Sequence, residues 1–129
     1  MTETVLIVDD SRRIRAELRQ AFELLGYRVI AEATNGIEAI DAYVRFKPAL
    51  LTLDLVMPQL DGLSALREIL RYDPQAKVII ISSSFSQKIR SEAEELGVSL
   101  LLNKPVDLKQ IAEALLSLKK SGEEKQKHG

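Results

Sequence analysis

Short apolar runs alternate along the chain with longer stretches whose apolar residues recur every three or four positions. Val5-Leu6-Ile7-Val8 is compact and β-rich and predicts a strand. Over 12–25, Ile14, Leu18, Ala21, Phe22 and Leu25 share one helical face, and Gly26 stands where a helix C-cap belongs. A second strand is predicted over 28–32, then a helix over 36–46 with Ile37, Ile40 and Val44 facing inward. The run over 49–53 is apolar enough for a central strand covered on both faces. Asp61 is placed to cap a helix carrying Leu63, Leu66, Ile69 and Leu70. Val78-Ile79-Ile80-Ile81 predicts a fourth strand, 86–96 a helix ending at Gly97, and 99–102 a last strand. Asp107 then caps a final helix with Leu108, Ile111, Leu115 and Leu118 on its apolar face.

Five such strand–helix units call for a parallel sheet with helices on both faces, because parallel strands need long crossovers. The fold expected is an α/β three-layer sandwich. Residues 1–120 form one domain on this reading, and the polar, unpatterned residues 121–129 form a disordered tail. Ligands on open parallel sheets bind beyond the C-terminal ends of the strands, so those ends are where chemistry is sought.

Composition narrows the field. A length of 129 residues suits one domain, and 46% hydrophobic residues suffice for one core, built mainly of aliphatic side chains because aromatics make up only 5%. With 18 basic and 19 acidic side chains the formal net charge is -1, which offers no bulk attraction for nucleic acid or membrane. Cysteine is absent, which excludes disulfides, thiolate metal sites and cysteine nucleophiles. The only histidine, His128, falls in the expected tail, so histidine-based catalysis is not expected. Neither a basic, apolar leader nor a run of about 20 apolar residues is present, and a soluble cytoplasmic protein is the expectation.

The predicted strand ends collect an unusual set. Asp9 and Asp10 follow the first strand, Asp54 the third, Ser82 closes the fourth, and Lys104-Pro105 follows the last. Each has an ordinary reading alone: acids after strands cap and turn, serines line polar loops, and lysines solvate surfaces. Together they place three carboxylates, a hydroxyl and an ammonium on one sheet edge. Clustered carboxylates repel and need protons or a cation. Mg²⁺ suits a site offering only a few carboxylates, because it keeps waters and completes its shell with a phosphate. Asp54, alone at the end of the strand expected to be most buried, is the candidate nucleophile toward phosphorus, with Asp9 and Asp10 as metal ligands. Lys104 and Ser82 are placed to bind phosphoryl oxygens.

The stretches 5–11 (VLIVDDS), 53–62 (LDLVMPQLDG) and Asn103-Lys104-Pro105 resemble the signatures of bacterial response-regulator receiver domains, and the likeness covers about residues 4–119. The segments 29–36 and 61–69 are most similar to stand-alone, chemotaxis-type (CheY-like) members. The resemblance implies a flavodoxin-like sheet with strand order 2-1-3-4-5, an order the general rule for such folds illustrates with this family. It implies that Asp54 accepts a phosphoryl group from a sensor histidine kinase or phosphotransfer protein. It also implies that Asp9, Asp10, Asp54 and the backbone carbonyl of Val56 bind Mg²⁺, that Ser82 and Lys104 bind the phosphoryl group, and that the Lys104–Pro105 bond is cis. Output would pass to another protein, with the chain a monomer or weak dimer. Two positions depart from the common pattern: Leu101 stands where many members carry Tyr or Phe, and Val106 where many carry Phe.

Two other functions fit parts of this pattern. One is a phosphorylation-independent binding scaffold, against which the complete set of site residues argues and which Leu101, in place of the usual aromatic, keeps open. The other is an aspartyl-phosphate hydrolase, which shares Asp, Ser, Lys and Mg²⁺. Such hydrolases resemble one another in carrying a second aspartate two residues after the nucleophile, where this chain has Val56.

Overall fold

A computed structural model describes residues 2–128, with side chains described for 2–120. The elements are β1 (Thr4–Val8), α1 (Arg12–Leu24), β2 (Arg28–Ala33), α2 (Gly36–Phe46), β3 (Leu50–Leu53), α3 (Gly62–Tyr72), β4 (Val78–Ser82), α4 (Gln87–Glu95), β5 (Leu101–Asn103) and α5 (Leu108–His128). The strands form one parallel sheet in the order β2-β1-β3-β4-β5. The expected tail over 121–129 falls outside the residues whose side chains are described, although the bounds of α5 reach His128.

Alternation along the three central strands divides the core into two layers, as the period of two in a strand requires. Val5 and Ile7, Leu50, and Ile79 and Ile81 face one side, where Leu18 and Phe22 of α1 and Ile111 and Ala114 of α5 cover them. Leu6 and Val8, Leu51 and Leu53, and Val78 and Ile80 face the other side, under Ala39, Ala42 and Tyr43 of α2, Leu66 and Ile69 of α3 and Ala93 of α4. A sheet covered on both faces accounts for near-continuous apolar runs in β3 and β4.

All five helices start on side-chain caps. Ser11, Asn35, Asp61, Ser86 and Asp107 accept hydrogen bonds from the backbone N–H groups of Ile14, Glu38, Ser64, Ile89 and Gln110. Each such cap stabilises its helix by about 1 kcal/mol. Two of these helices, α1 and α3, therefore begin at defined points after the strands whose ends carry Asp9, Asp10 and Asp54.

Two sequence expectations are corrected. In α2 the inward face is Ala39, Ala42 and Tyr43, while Ile37 is 58% and Val44 39% exposed. The cause is close packing at the start of the helix: the Gly36 N–H donates to the Leu60 carbonyl, and a Cβ at Gly36 would run into that same carbonyl. Small residues let the helix lie that close, and Ile40, at the border of the two possible faces, is only partly buried. The last strand is also displaced from 99–102 to Leu101–Asn103. All of Leu100, Leu101 and Leu102 are apolar, so pattern alone does not fix the register; pairing of Leu101 with Ile80 and Asn103 with Ser82 does.

Candidate functional site

Backbone hydrogen bonds to the neighbouring strand pin the residues that follow the strands. The N–H of Asp9 donates to the Ala33 carbonyl (3.0 Å), that of Asp54 to Val8 (3.0 Å), and that of Lys104 to Ser82 (2.8 Å). The sheet thus delivers its polar termini to one edge as rigidly as it holds its own strands.

Asp9, Asp10 and Asp54 each present a carboxylate oxygen within 4.8 Å of the others. Asp9 and Asp54 are 1% and 4% exposed, and Asp10 is exposed. Lys104 reaches in from the β5–α5 turn, its Nζ 2.7 Å from Asp9 Oδ2 and 3.2 Å from Asp54 Oδ2. Only the contact with Asp54 has hydrogen-bond geometry; Asp9 Oδ2 is buried with an ion-pair neighbour but no aligned donor. The second oxygen of Asp54 accepts from the Val56 N–H (3.2 Å), and Asp9 Oδ1 accepts from the Ser11 N–H (2.9 Å).

One ammonium against three carboxylates leaves the cluster net negative. Burial pushes the Asp54 carboxyl above the usual carboxylate range, and the charge of Asp9 acts the same way against the opposing pull of the Val56 N–H and Lys104. Burial also works against the Lys104 charge, but Asp9 and Asp54 outweigh it and hold the ammonium above its ordinary value. An oxygen-only donor set, excess negative charge and a buried Asp9 oxygen lacking an aligned donor all fit a hard divalent cation.

Ser82 lies at the end of β4, fully buried, and its Oγ has no hydrogen-bond partner. A buried hydroxyl left unpaired costs about 1–3 kcal/mol, so this position carries a cost that an incoming acceptor would relieve. Val56, two residues past Asp54, is 65% exposed. Gly62 closes the turn behind Asp54: its N–H donates to the Leu55 carbonyl, and a Cβ there would strike the Asp54 carbonyl. The Lys104–Pro105 bond is cis. Leu101 packs, partly buried, against the α2–α3–α4 layer, and Val106 against the α1–α5 layer.

The sequence reading did not single out Arg15. Its guanidinium donates to the Asp9 carbonyl (2.8 Å) and pairs with Glu32 of β2 (3.0 Å). The signal was weak, because Arg15 is one of four arginines in α1 and only the fold shows which of them turns toward the acidic edge. Among the described residues, no helix is long and apolar enough to cross a membrane.

Comparison with known proteins agrees with this architecture. The family model for the response regulator receiver domain matches residues 5–116. The chain is 38% identical over 120 residues to the chemotaxis protein CheY of Thermotoga maritima, covering 93% of this chain and 100% of that protein. It is 34% identical to sporulation initiation phosphotransferase F of Bacillus subtilis, covering 89% and 92% of the two chains. Among solved structures, the CheX–CheY–BeF₃–Mg²⁺ complex from Borrelia burgdorferi contains a chain that superposes with a TM-score of 0.86 at 31% identity, covering 90% and 88%. With its strand order, its acidic edge and a family match over most of its length, the chain belongs to the response-regulator receiver domains.

Proposed function

We propose that this receiver works in two-component phosphorelay signalling, taking a phosphoryl group onto Asp54 from a histidine kinase or phosphotransfer protein and changing its affinity for an output protein as a result. The observation that carries the reading is the setting of Asp54: a buried carboxylate grouped with Asp9 and Asp10 and held 3.2 Å from Lys104. Relatives named for chemotaxis and for sporulation phosphotransfer support the same class of process.

In the step proposed, an Asp54 carboxylate oxygen attacks phosphorus, the bond from phosphorus to the donor's imidazole nitrogen breaks, and the nitrogen keeps the electron pair. The product is an acyl phosphate on Asp54. Asp9, Asp10, Asp54 and the Val56 carbonyl would hold Mg²⁺, which when bound neutralises charge on the phosphoryl oxygens. Lys104 moves its charge from the carboxylates to a phosphoryl oxygen, and the Ser82 hydroxyl gains the acceptor it lacks. New contacts of this kind bias a two-state element; moving it from about 1:99 to 99:1 takes about 5.5 kcal/mol.

Turnover of external phosphate esters is not part of this reading, since Val56 cannot transfer a proton where an aspartyl-phosphate hydrolase keeps its acid. Slow self-dephosphorylation is expected instead, in a cytoplasmic setting. A phosphorylation-independent scaffold is the second reading, favoured by Leu101, whose side chain lacks the aromatic ring common at this position. Incubation with Mg²⁺ and a small acyl phosphate tests the choice: the intact mass should rise by one phosphoryl group, and EDTA should abolish the rise. An unchanged mass, with a known receiver labelled alongside, would overturn the proposal.

A further inference from the structure

We infer that Arg15 is a positioning residue for the metal-binding carboxylates, acting through the backbone of Asp9; this rests on the reading of Asp9, Asp10 and Asp54 as a Mg²⁺ site. Asp9 immediately follows β1, and its N–H and one carboxylate oxygen are fixed by Ala33 and Ser11. Its carbonyl, which orients the peptide leading to Asp10, receives no strand hydrogen bond and is held by the Arg15 guanidinium at 2.8 Å. That side chain is only 15% exposed, unlike Arg13, which is 85% exposed and pairs with Glu17 within its own helix.

A second layer holds Arg15 itself. Glu32 accepts from Arg15 Nε at 3.0 Å through one oxygen and from Arg19 at 2.6 Å through the other. The planar guanidinium suits this role, because its fixed fork of donors can bridge a carbonyl and a carboxylate at once. The pairing with Glu32 also offsets the positive charge that Arg15 brings near the cation site. Its effect on the metal is therefore one of geometry: it fixes the direction from Asp9 to Asp10 and helps β2 and α1 frame the site. Arg19 shares Glu32 but does not touch Asp9, so it isolates the ion pair from the positioning role.

Partners of metal ligands are worth about 10–100-fold in affinity, and Arg15 acts on the backbone of a ligand, so the lower end applies. The probe is Mn²⁺ alone, titrated into the purified protein with free Mn²⁺ read by electron paramagnetic resonance. Arg15→Met should weaken Mn²⁺ binding about tenfold, while Arg19→Met should bind as the unaltered protein does. Unchanged affinity in Arg15→Met, equal losses in both variants, or tighter binding in Arg15→Met would each overturn the inference, the last by showing that charge outweighs geometry. If Arg15→Met does not fold, Glu32→Gln carries the test, with weaker Mn²⁺ binding expected and an unchanged value overturning it. Failure of the unaltered protein to bind Mn²⁺ would instead remove the metal site on which the inference rests.

Discussion

Lys104 and Asp9 approach to 2.7 Å, closer than Lys104 and Asp54 at 3.2 Å, so one ammonium is shared unequally between the two buried carboxylates. Removing it strands both. Lys104→Met should cost about 3 kcal/mol of stability in EDTA, the scale for breaking a buried pair by deleting one partner. Saturating Mg²⁺ should restore most of that loss, because a cation at the site replaces the missing charge. Denaturant unfolding with and without Mg²⁺ reads both effects.

Asp54 makes its own contribution to the pH dependence of the metal-free protein. Its carboxyl is raised by burial, then by Asp9. The folded state therefore favours the protonated form: that contribution to stability is fully present below the pKa of an unfolded aspartate and is lost as pH rises through the folded value. At neutral pH the ionised group is a liability. Asp54→Asn should then melt higher than the unaltered protein in EDTA at pH 7, with the gap closing as pH falls into the carboxylate range. Saturating Mg²⁺ should reverse the ranking, since ligand binding stabilises only the chain that keeps its ligand. Thermal melts across pH would check all three statements.

Gly62 is predicted to be intolerant of any side chain. A Cβ there meets the Asp54 carbonyl, so Gly62→Ala must shift the backbone that carries Asp54. Overpacking of this kind costs about 1–3 kcal/mol. Labelling by an acyl phosphate should slow even at temperatures where the variant stays folded, and its time course measures that directly.

Thr52 makes the opposite case. It pairs in register with Ile7 and Ile79, facing the α1–α5 layer, and its buried Oγ has no hydrogen-bond partner. Thr52→Val keeps the shape and removes an unsatisfied hydroxyl, so stability should rise by about 1 kcal/mol while labelling of Asp54 is unaffected. A lower melting temperature would mean that the hydroxyl has a partner after all.

Much of this architecture is legible in the sequence because the patterns are local. Caps at Asp61 and Asp107 are read from residue type beside a periodic run, and buried strands from uninterrupted apolar residues. The acidic edge follows from strand order, which places Asp9, Asp10, Asp54 and Lys104 at the same ends of their strands. What escaped depends on packing between distant elements. The face of α2 turned on the approach of Gly36 to Leu60, 24 residues along the chain. Arg15 looked like its neighbours Arg12 and Arg13 because nothing local marks a side chain that bonds back to a strand end. The three-residue strand β5 sits in a leucine run whose register only its partner β4 decides.

The central claim is that Asp54, and no other residue, carries the phosphoryl group. After labelling with an acyl phosphate and Mg²⁺, borohydride reduction converts a phosphorylated aspartate to homoserine, which peptide mass mapping locates. The account predicts homoserine at position 54 alone, absent from Asp54→Asn and from EDTA-treated protein. Conversion at Asp9 or Asp10, or labelling that survives Asp54→Asn, would contradict it.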